Sequence, residues 1–128
     1  TVPWDRRGGR IVSPMEFYYH DTDGDVLILN ADGGLAAVTA DEFVGELERA
    51  IGLGCRKLIV DCTRLTHISS YGLGVLIRLH KKLATKGGDV KLANVSGAVP
   101  KILSMTRLNK IFEIYPTLDD ARQAFRQP

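Results

Sequence analysis

One short segment, residues 68–74, constrains the fold of this 128-residue chain more than any other. Its sequence, Ile-Ser-Ser-Tyr-Gly-Leu-Gly, joins an apolar run that ends at Asp61 to a stretch with helical periodicity from Val75 to Leu83. A short apolar run that ends in an acid is typical of a buried strand whose carboxyl end opens into a loop. We therefore expect a strand, a polar loop and an amphipathic helix in direct succession.

The two serines of this segment are both candidates for the helix N-cap, because a Ser hydroxyl accepts a hydrogen bond from the free N–H groups of the first turn. Gly72 and Gly74 each cost the helix about 0.5–1 kcal/mol relative to Ala, which favours close approach of another backbone or chain. A phosphate on Ser69 or Ser70 would be tolerated, because a helix N-terminus attracts negative charge.

The elements on either side of this segment alternate between strand and helix. Strands are predicted at 16–20, 25–30, 57–61 and 89–93, with a weak strand or an extended connection at 111–114. Helices are predicted at 39–50, from the serine pair to residue 85, at 97–105 and at 118–126. Thr39 with Glu42 forms a capping box, and Ser96 is a cap candidate for the third helix. This alternation predicts an α/β fold with a central mixed sheet of four to five strands and about four helices.

The periodicity of the central helix predicts which of its faces is buried. At about 100° per residue, Gly72, Leu76, Leu79 and Leu83 share one face, with Arg78, Lys82 and Thr85 opposite. Leu73, Ile77 and Ala84 fall between, and the pattern leaves open whether they belong to the core or to an exposed docking strip. We expect one core made of Val26, Ile28, Ile59, Val60, Leu76, Leu79, Leu83, Val90 and Leu92.

Composition limits the number of domains and the kinds of partner. A chain with 45% hydrophobic and 25% charged residues fits one globular domain. Residues 1–14 show little periodicity, so they are expected to be an N-terminal extension of a domain spanning 15–128. The formal net charge of +2, with Lys and Arg interspersed among acids, predicts no direct binding of nucleic acid. No apolar run is long enough for a bilayer, so a cytoplasmic location without membrane contact is expected.

Catalytic and metal-binding chemistry finds little support in the sequence. Cys55 and Cys62 stand apart and are expected to be reduced, packed thiols, while the three histidines have no metal-ligand spacing. No metal or cofactor is therefore expected. Gly72-Leu73-Gly74 matches half of a dinucleotide-binding motif, but Ile77 stands where the third small residue of that motif is needed. Nucleotide binding is therefore not expected.

A small serine hydrolase is a distant alternative. Asp61, His67 and Ser70 are residue types of a hydrolase triad, but Gly-x-Ser-x-Gly is absent. Residues on one short loop also seldom surround a nucleophile in the way that catalysis requires.

The segment Val60-Asp61 followed by residues 68–76 resembles the STAS domain family, and within it the bacterial anti-sigma factor antagonists. The resemblance covers about residues 16–125 and includes Gly87-Gly88 before a strand and the closing segment 111–117. Aligning the Gly-Leu-Gly of the family motif places the family's phosphorylated serine on Ser70. Ser69 stands where the motif often has Asp, and Tyr71 where a small residue is usual.

The resemblance implies a non-enzymatic, phosphorylation-controlled partner-switching protein with a STAS-type fold. Unphosphorylated, it would bind an anti-sigma factor that is also a serine kinase and so release a sigma factor for transcription. A serine/threonine phosphatase would reset it. Phosphorylation is expected at Ser70, and partner binding at Ser69, Ser70, Tyr71, Gly72, Leu73 and Ile77. A STAS scaffold that is never phosphorylated, or a transporter-regulatory subunit, is the alternative within the fold, and homodimer formation is left open.

Overall fold

The computed structural model of the protein describes residues 18–23, 25–30, 45, 47–65 and 67–126. These residues contain a five-stranded sheet in the spatial order β1-β2-β3-β4-β5. The strands are β1 (Tyr18–Asp23), β2 (Val26–Asn30), β3 (Lys57–Asp61), β4 (Asp89–Ala93) and β5 (Glu113–Tyr115). β1 is antiparallel to β2, and each later pair of neighbours is parallel. The predicted α/β fold with a mixed sheet is confirmed.

Four α-helices lie within the described part of the chain. They are α1 (described at residues 45 and 47–52), α2 (Ser70–Ala84), α3 (Val99–Met105) and α4 (Leu118–Arg126), with a 3-10 helix at Leu108–Lys110. The predicted extension 1–14 and the capping box at Thr39 and Glu42 lie outside the described residues.

The start of α3 differs from its prediction. Ala98, not Ser96, occupies the N-cap position and makes no side-chain hydrogen bond there. Gly97 has φ 61°, in the left-handed region, so the chain cannot be helical at the predicted first residue. The helix therefore begins at Val99.

The two faces of the sheet bury separate sets of side chains. On one face, Leu27, Leu29, Leu58, Val60, Val90 and Leu92 pack with Leu76, Leu79 and Leu83 of α2. On the other, Val26, Ile28, Ile59 and Ala93 pack with Ala121 of α4. The prediction of a single core is therefore wrong. Successive side chains of a strand point to opposite faces, so Val26, Ile28 and Ile59 lie on the α4 side.

The same alternation places a lysine on the α4 side of β4. Lys91 is 6% exposed. Its ammonium group hydrogen-bonds Asp89 at 3.1 Å and also Glu113, and lies 4.6 Å from the ring centroid of Phe125. Burial acts to lower the pKa of Lys91, but the bonds to Glu113 and Asp89 outweigh burial and raise it. The buried charge is therefore retained and paired, as burial of an ion requires.

The end of α2 sets the start of β4. Gly87 N–H donates to the Ala84 carbonyl at 3.2 Å and Gly88 N–H to the Leu83 carbonyl at 2.8 Å, with Gly87 at φ 78°. This is a Schellman motif, and it confirms the predicted stop at the two glycines. A Cβ on Gly88 would lie 2.3 Å from the backbone oxygen of Arg56. Only glycine fits where the chain enters β4 beside β3.

Leu79 provides a test of the larger core. It is fully buried in α2, so Leu79→Ala should lower the free energy of unfolding by about 2–5 kcal/mol, as large-to-small core changes do. Lys81→Ala, at an exposed position of the same helix, should change it by less than about 0.5 kcal/mol. Urea denaturation of both variants measures the difference. Equal midpoints would contradict the assignment of the buried face.

The contact between Gly88 and Arg56 provides a second test. Gly88→Ala should lower the free energy of unfolding by about 1–3 kcal/mol, because the new methyl group overlaps a backbone atom that cannot move without disturbing β3. Gly52→Ala is the matched control, since Gly52 is an exposed helical glycine with open space around its Cβ position. Thermal melts of the pair would refute the steric explanation if Gly88→Ala melted no lower than the control.

Candidate functional site

The loop between β3 and α2 is anchored at the carboxyl edge of the sheet. Leu65 and Ile68 are buried, at 1% and 3% exposure. Cys62 N–H donates to the Ala93 carbonyl at 2.8 Å, and Leu65 N–H donates to the Cys62 carbonyl at 3.0 Å. These contacts attach the loop to the end of β4 as well as to β3. The first turn of α2 is thereby held at this edge.

A carboxylate–amide contact joins the ends of β3 and β4. Asp61 is 7% exposed, and its Oδ1 accepts hydrogen bonds from Thr63 N–H at 3.1 Å, the Thr63 hydroxyl at 2.6 Å and Asn94 Nδ2 at 3.1 Å. Asn94 has φ 59°, a left-handed conformation that Asn adopts more readily than most residues. Asn94 was not predicted as a site residue. Its signal in the sequence is an Asn directly after a buried strand.

The hydrolase alternative lacks its geometry. In the part of the chain that the structure describes, no hydrogen bond joins Asp61, His67 and Ser70. Oδ1 of Asp61 is occupied by Thr63 and Asn94, and His67 is exposed. A catalytic base needs an orienting partner, and none is present for His67 among the described residues.

The candidate metal ligands and thiols are equally unsuited to chemistry. No group of three or more His, Cys, Asp or Glu side chains within the described ranges could hold a metal ion. Cys55 and Cys62 are free and buried, and burial raises the pKa of each thiol to about 12. Both are therefore protonated at neutral pH and poor nucleophiles. The prediction of packed thiols is confirmed.

The two serines at the start of α2 have different surroundings. Ser69 is the N-cap, with φ −78° and ψ 165°, and its Oγ accepts a hydrogen bond from Gly72 N–H at 3.0 Å. Ser70 is the first helical residue and is exposed. Its side chain makes no hydrogen bond to the described residues. One serine therefore closes the helix end, while the other presents its hydroxyl to solvent.

The residues that follow divide between core and surface. Gly72 and Leu73 are buried, and Leu73, 9% exposed, belongs to the larger core. Ile77 is half-buried against the same core, whereas Tyr71 is 42% exposed. The question that the helical pattern left open is therefore answered for Leu73, which packs in the core together with Leu76. Among the six predicted partner-binding residues, Ser70 and Tyr71 are exposed and Ser69 and Ile77 partly so.

The exposed side of α2 carries a row of residues that we call the α2 ridge: Ser70, Gly74, Arg78 and Lys81. Their spacing of four, four and three residues keeps them on one side of the helix. A Cβ on Gly74 would have no atom of the described chain within 4 Å, so packing inside the protein does not require this glycine. The sequence indicated close approach of another backbone or chain at Gly74, although Gly74 is not among the six predicted partner-binding residues.

Arg78 of the ridge is tied to α1. Its guanidinium group lies 3.4 Å from a carboxylate oxygen of Glu48, and the same oxygen lies 3.5 Å from the ammonium group of Lys82. One acid is thus shared by two bases.

Within the described residues, no helix combines the length and the apolar character needed to cross a membrane.

Comparison with known proteins identifies relatives of this chain. The family model of the STAS domain matches residues 20–121. The anti-sigma F factor antagonist of Paenibacillus polymyxa is 32% identical over 91 residues, which cover 70% of this chain and 78% of the relative.

Two solved structures share the fold. The anti-sigma factor antagonist SpoIIAA in its unphosphorylated form has a TM-score of 0.77 at 21% identity, covering 86% of this chain and 96% of that one. The Bacillus cell fate determinant SpoIIAA in the phosphorylated form has a TM-score of 0.70 at 19% identity, covering 85% and 98%. At these identities the likeness shows the fold alone. With the family match and the Paenibacillus relative, however, the chain belongs to the STAS domain family, among the anti-sigma factor antagonists.

Proposed function

We propose that phosphorylation of Ser70 controls which partner this anti-sigma factor antagonist binds. In the unphosphorylated state it binds an anti-sigma factor that is also a serine kinase, and a sigma factor is released for transcription. Phosphorylation ends the contact, and a serine/threonine phosphatase restores it. The protein acts in the cytoplasm and is itself no enzyme. The observation that carries the proposal is the exposed hydroxyl of Ser70 beside a Ser69 engaged in capping.

The proposal rests on Ser70 rather than Ser69 for a steric and an electrostatic reason. A kinase must reach the hydroxyl that it modifies, and Ser70 is exposed whereas Ser69 is partly buried. The Oγ of Ser69 already accepts the Gly72 N–H, which a phosphate there would disturb. The motif alignment selects the same serine by an independent route.

The position of Ser70 also suits a switch that leaves the fold intact. Phosphate adds about 1.5–2 negative charges, and a helix N-terminus stabilises such charge by about 0.3–1 kcal/mol. The first turn of α2 contains no acid that would repel it. A partner packed against Ser70 would instead have to desolvate the phosphate, which is costly without a matching cation. Binding is lost while the domain stays folded.

Gly74 and Tyr71 support a partner surface beside Ser70. Glycine costs a helix about 1 kcal/mol relative to Ala, and no atom of the described chain near Gly74 explains that cost. A partner backbone that approaches the helix closely does explain it. Tyr71 adds an exposed aromatic side chain, the residue type most enriched at binding hot spots together with Trp and Arg.

Substitution of Ser70 tests the switch. Ser70→Ala should bind the purified cognate kinase as the parent does, yet take up no phosphate from ATP, as intact mass will show. Ser70→Asp should weaken binding by at least about 1–3 kcal/mol, because the partner meets a buried charge. Its melting temperature should stay near that of the parent. Calorimetric titration and thermal melts measure the two quantities.

The neighbouring serine supplies the control. Ser69→Ala should lower the free energy of unfolding by about 0.5–2 kcal/mol through loss of the cap, yet should still be phosphorylated. Normal labelling of Ser70→Ala, or full-strength binding by Ser70→Asp, would remove Ser70 as the switch. A parent protein that binds its partner but takes up no phosphate would favour the scaffold alternative.

Gly74 gives a test that separates binding from folding. Gly74→Ala should raise the free energy of unfolding by about 0.5–1 kcal/mol, because the helix gains a better former in open space. The same methyl group should weaken kinase binding by about 1–3 kcal/mol through overpacking. Gly45→Ala, at an exposed glycine of α1 with open space, should leave binding unchanged. Unaltered affinity of Gly74→Ala would exclude close approach of the partner at this position.

A further inference from the structure

The charges of this chain are segregated along its sequence. Of the 17 Lys and Arg residues of the chain, nine lie within residues 62–112. Of its 15 Asp and Glu residues, only Asp89 lies there. The net charge of +2 hides this difference, because the rest of the chain holds 14 acids and only eight Lys and Arg residues. The expectation that Lys and Arg are interspersed with acids is therefore wrong for this part of the chain.

The fold collects most of these basic residues on one side of the sheet. α2 and α3 cover the same face, since Leu79 and Leu103 belong to the same core. Three of the nine are exceptions. Lys91 is buried on the α4 side and paired with Asp89 and Glu113, Lys82 is half-buried beside Glu48, and Arg64 lies in the loop before α2. The exposed bases of α2, α3 and the segments directly after these helices form what we call the basic face: Arg78, Lys81, Lys86, Lys101, Arg107 and Lys110.

Most of the basic face is not neutralised by the protein itself. Arg78 pairs with Glu48, but the other five residues have no carboxylate within ion-pair distance in the ranges that the structure describes. Unpaired like charges on one surface produce a positive potential that extends into solvent and attracts an oppositely charged surface. The stability of the fold gains nothing from such an arrangement.

We infer that the basic face docks an acidic surface of the protein that also binds at Ser70, an inference that rests on the proposed function. Arg78 and Lys81 lie on the α2 ridge together with Ser70, so the two surfaces are continuous. Exposed apolar residues lie close to one of these charges in the sequence: Met105 is 73% and Ile111 45% exposed, on either side of Arg107. Arg and Met are enriched at protein–protein interfaces, whereas the phosphates of a nucleic acid are contacted by charged and polar groups.

This arrangement gives the phosphate a second effect. A phosphate at Ser70 places about 1.5–2 negative charges at one end of the basic face. An acidic partner is then repelled at the point of contact and attracted less strongly by the rest of the surface. The basic face governs mainly the rate of association, and phosphorylation governs whether the complex persists.

Variants that each lower the net charge by one test this surface. Lys81→Gln and Lys101→Gln change the basic face, and Gln123→Glu makes the same charge change at an exposed position of α4, on the opposite side of the sheet. At low salt, Lys81→Gln and Lys101→Gln should each slow association with the purified kinase on the order of two- to fivefold. The control should associate as fast as the parent, and added salt should remove the differences.

Three other outcomes would each contradict one or both proposals. If the kinase phosphorylates Ser70 but associates equally fast with all three variants, the basic face is not a docking surface, and the switch at Ser70 stands. If the kinase neither binds nor phosphorylates the parent protein, both proposals are overturned. If short duplex DNA or phosphatidylserine vesicles bind the parent more tightly than the kinase does, and Lys81→Gln weakens that binding, the occupant is not an acidic protein and the inference fails.

Discussion

The hydrogen bond from Gly72 N–H to Ser69 Oγ determines what the start of α2 can do. It satisfies one of the free N–H groups of the first turn and fixes the direction in which the helix leaves the loop. It also engages one of two adjacent serines, so that within this pair Ser70 is the exposed residue and its hydroxyl makes no hydrogen bond to the described residues. Asp is as good an N-cap as Ser, so the departure of Ser69 from the family motif preserves the capping chemistry.

Each turn of α2 contains residues that pack in the core and other residues that face outward. Leu76, Leu79 and Leu83 bind the helix to the sheet, while Ser70, Gly74 and Lys81 face outward. Because the buried side is large and apolar, changes on the outer side are separated energetically from the fold. A modification at Ser70 can alter binding without unfolding the domain.

Much of the fold was predictable because its signals are local. Strand-length apolar runs, the helical period of residues 75–83 and the two glycines at 87 and 88 gave β3, α2 and its end correctly. The division into two cores is less visible, because residues of both cores alternate within the same strands and separate only onto opposite faces of the sheet. Asn94 carries no local motif, since its role depends on Asp61, which lies 33 residues away in the sequence. Gly74 stands out in the sequence as a glycine inside a helix, but only the structure shows the open space around it. The charge segregation was visible in the sequence but was obscured by the near-neutral total.

The unequal covering of the sheet gives the domain two levels of local stability. Among the residues that the structure describes, the face under α2 and α3 buries a large cluster, whereas the α4 face buries five residues together with the partly buried side chains of Tyr115, Leu118 and Phe125. Segments with few buried contacts open at lower free energy than the core that they cover. Transient detachment of α4 would therefore expose Lys91 and Ile59 to water. The opposite surface, with Ser70 and the basic face, would keep its structure.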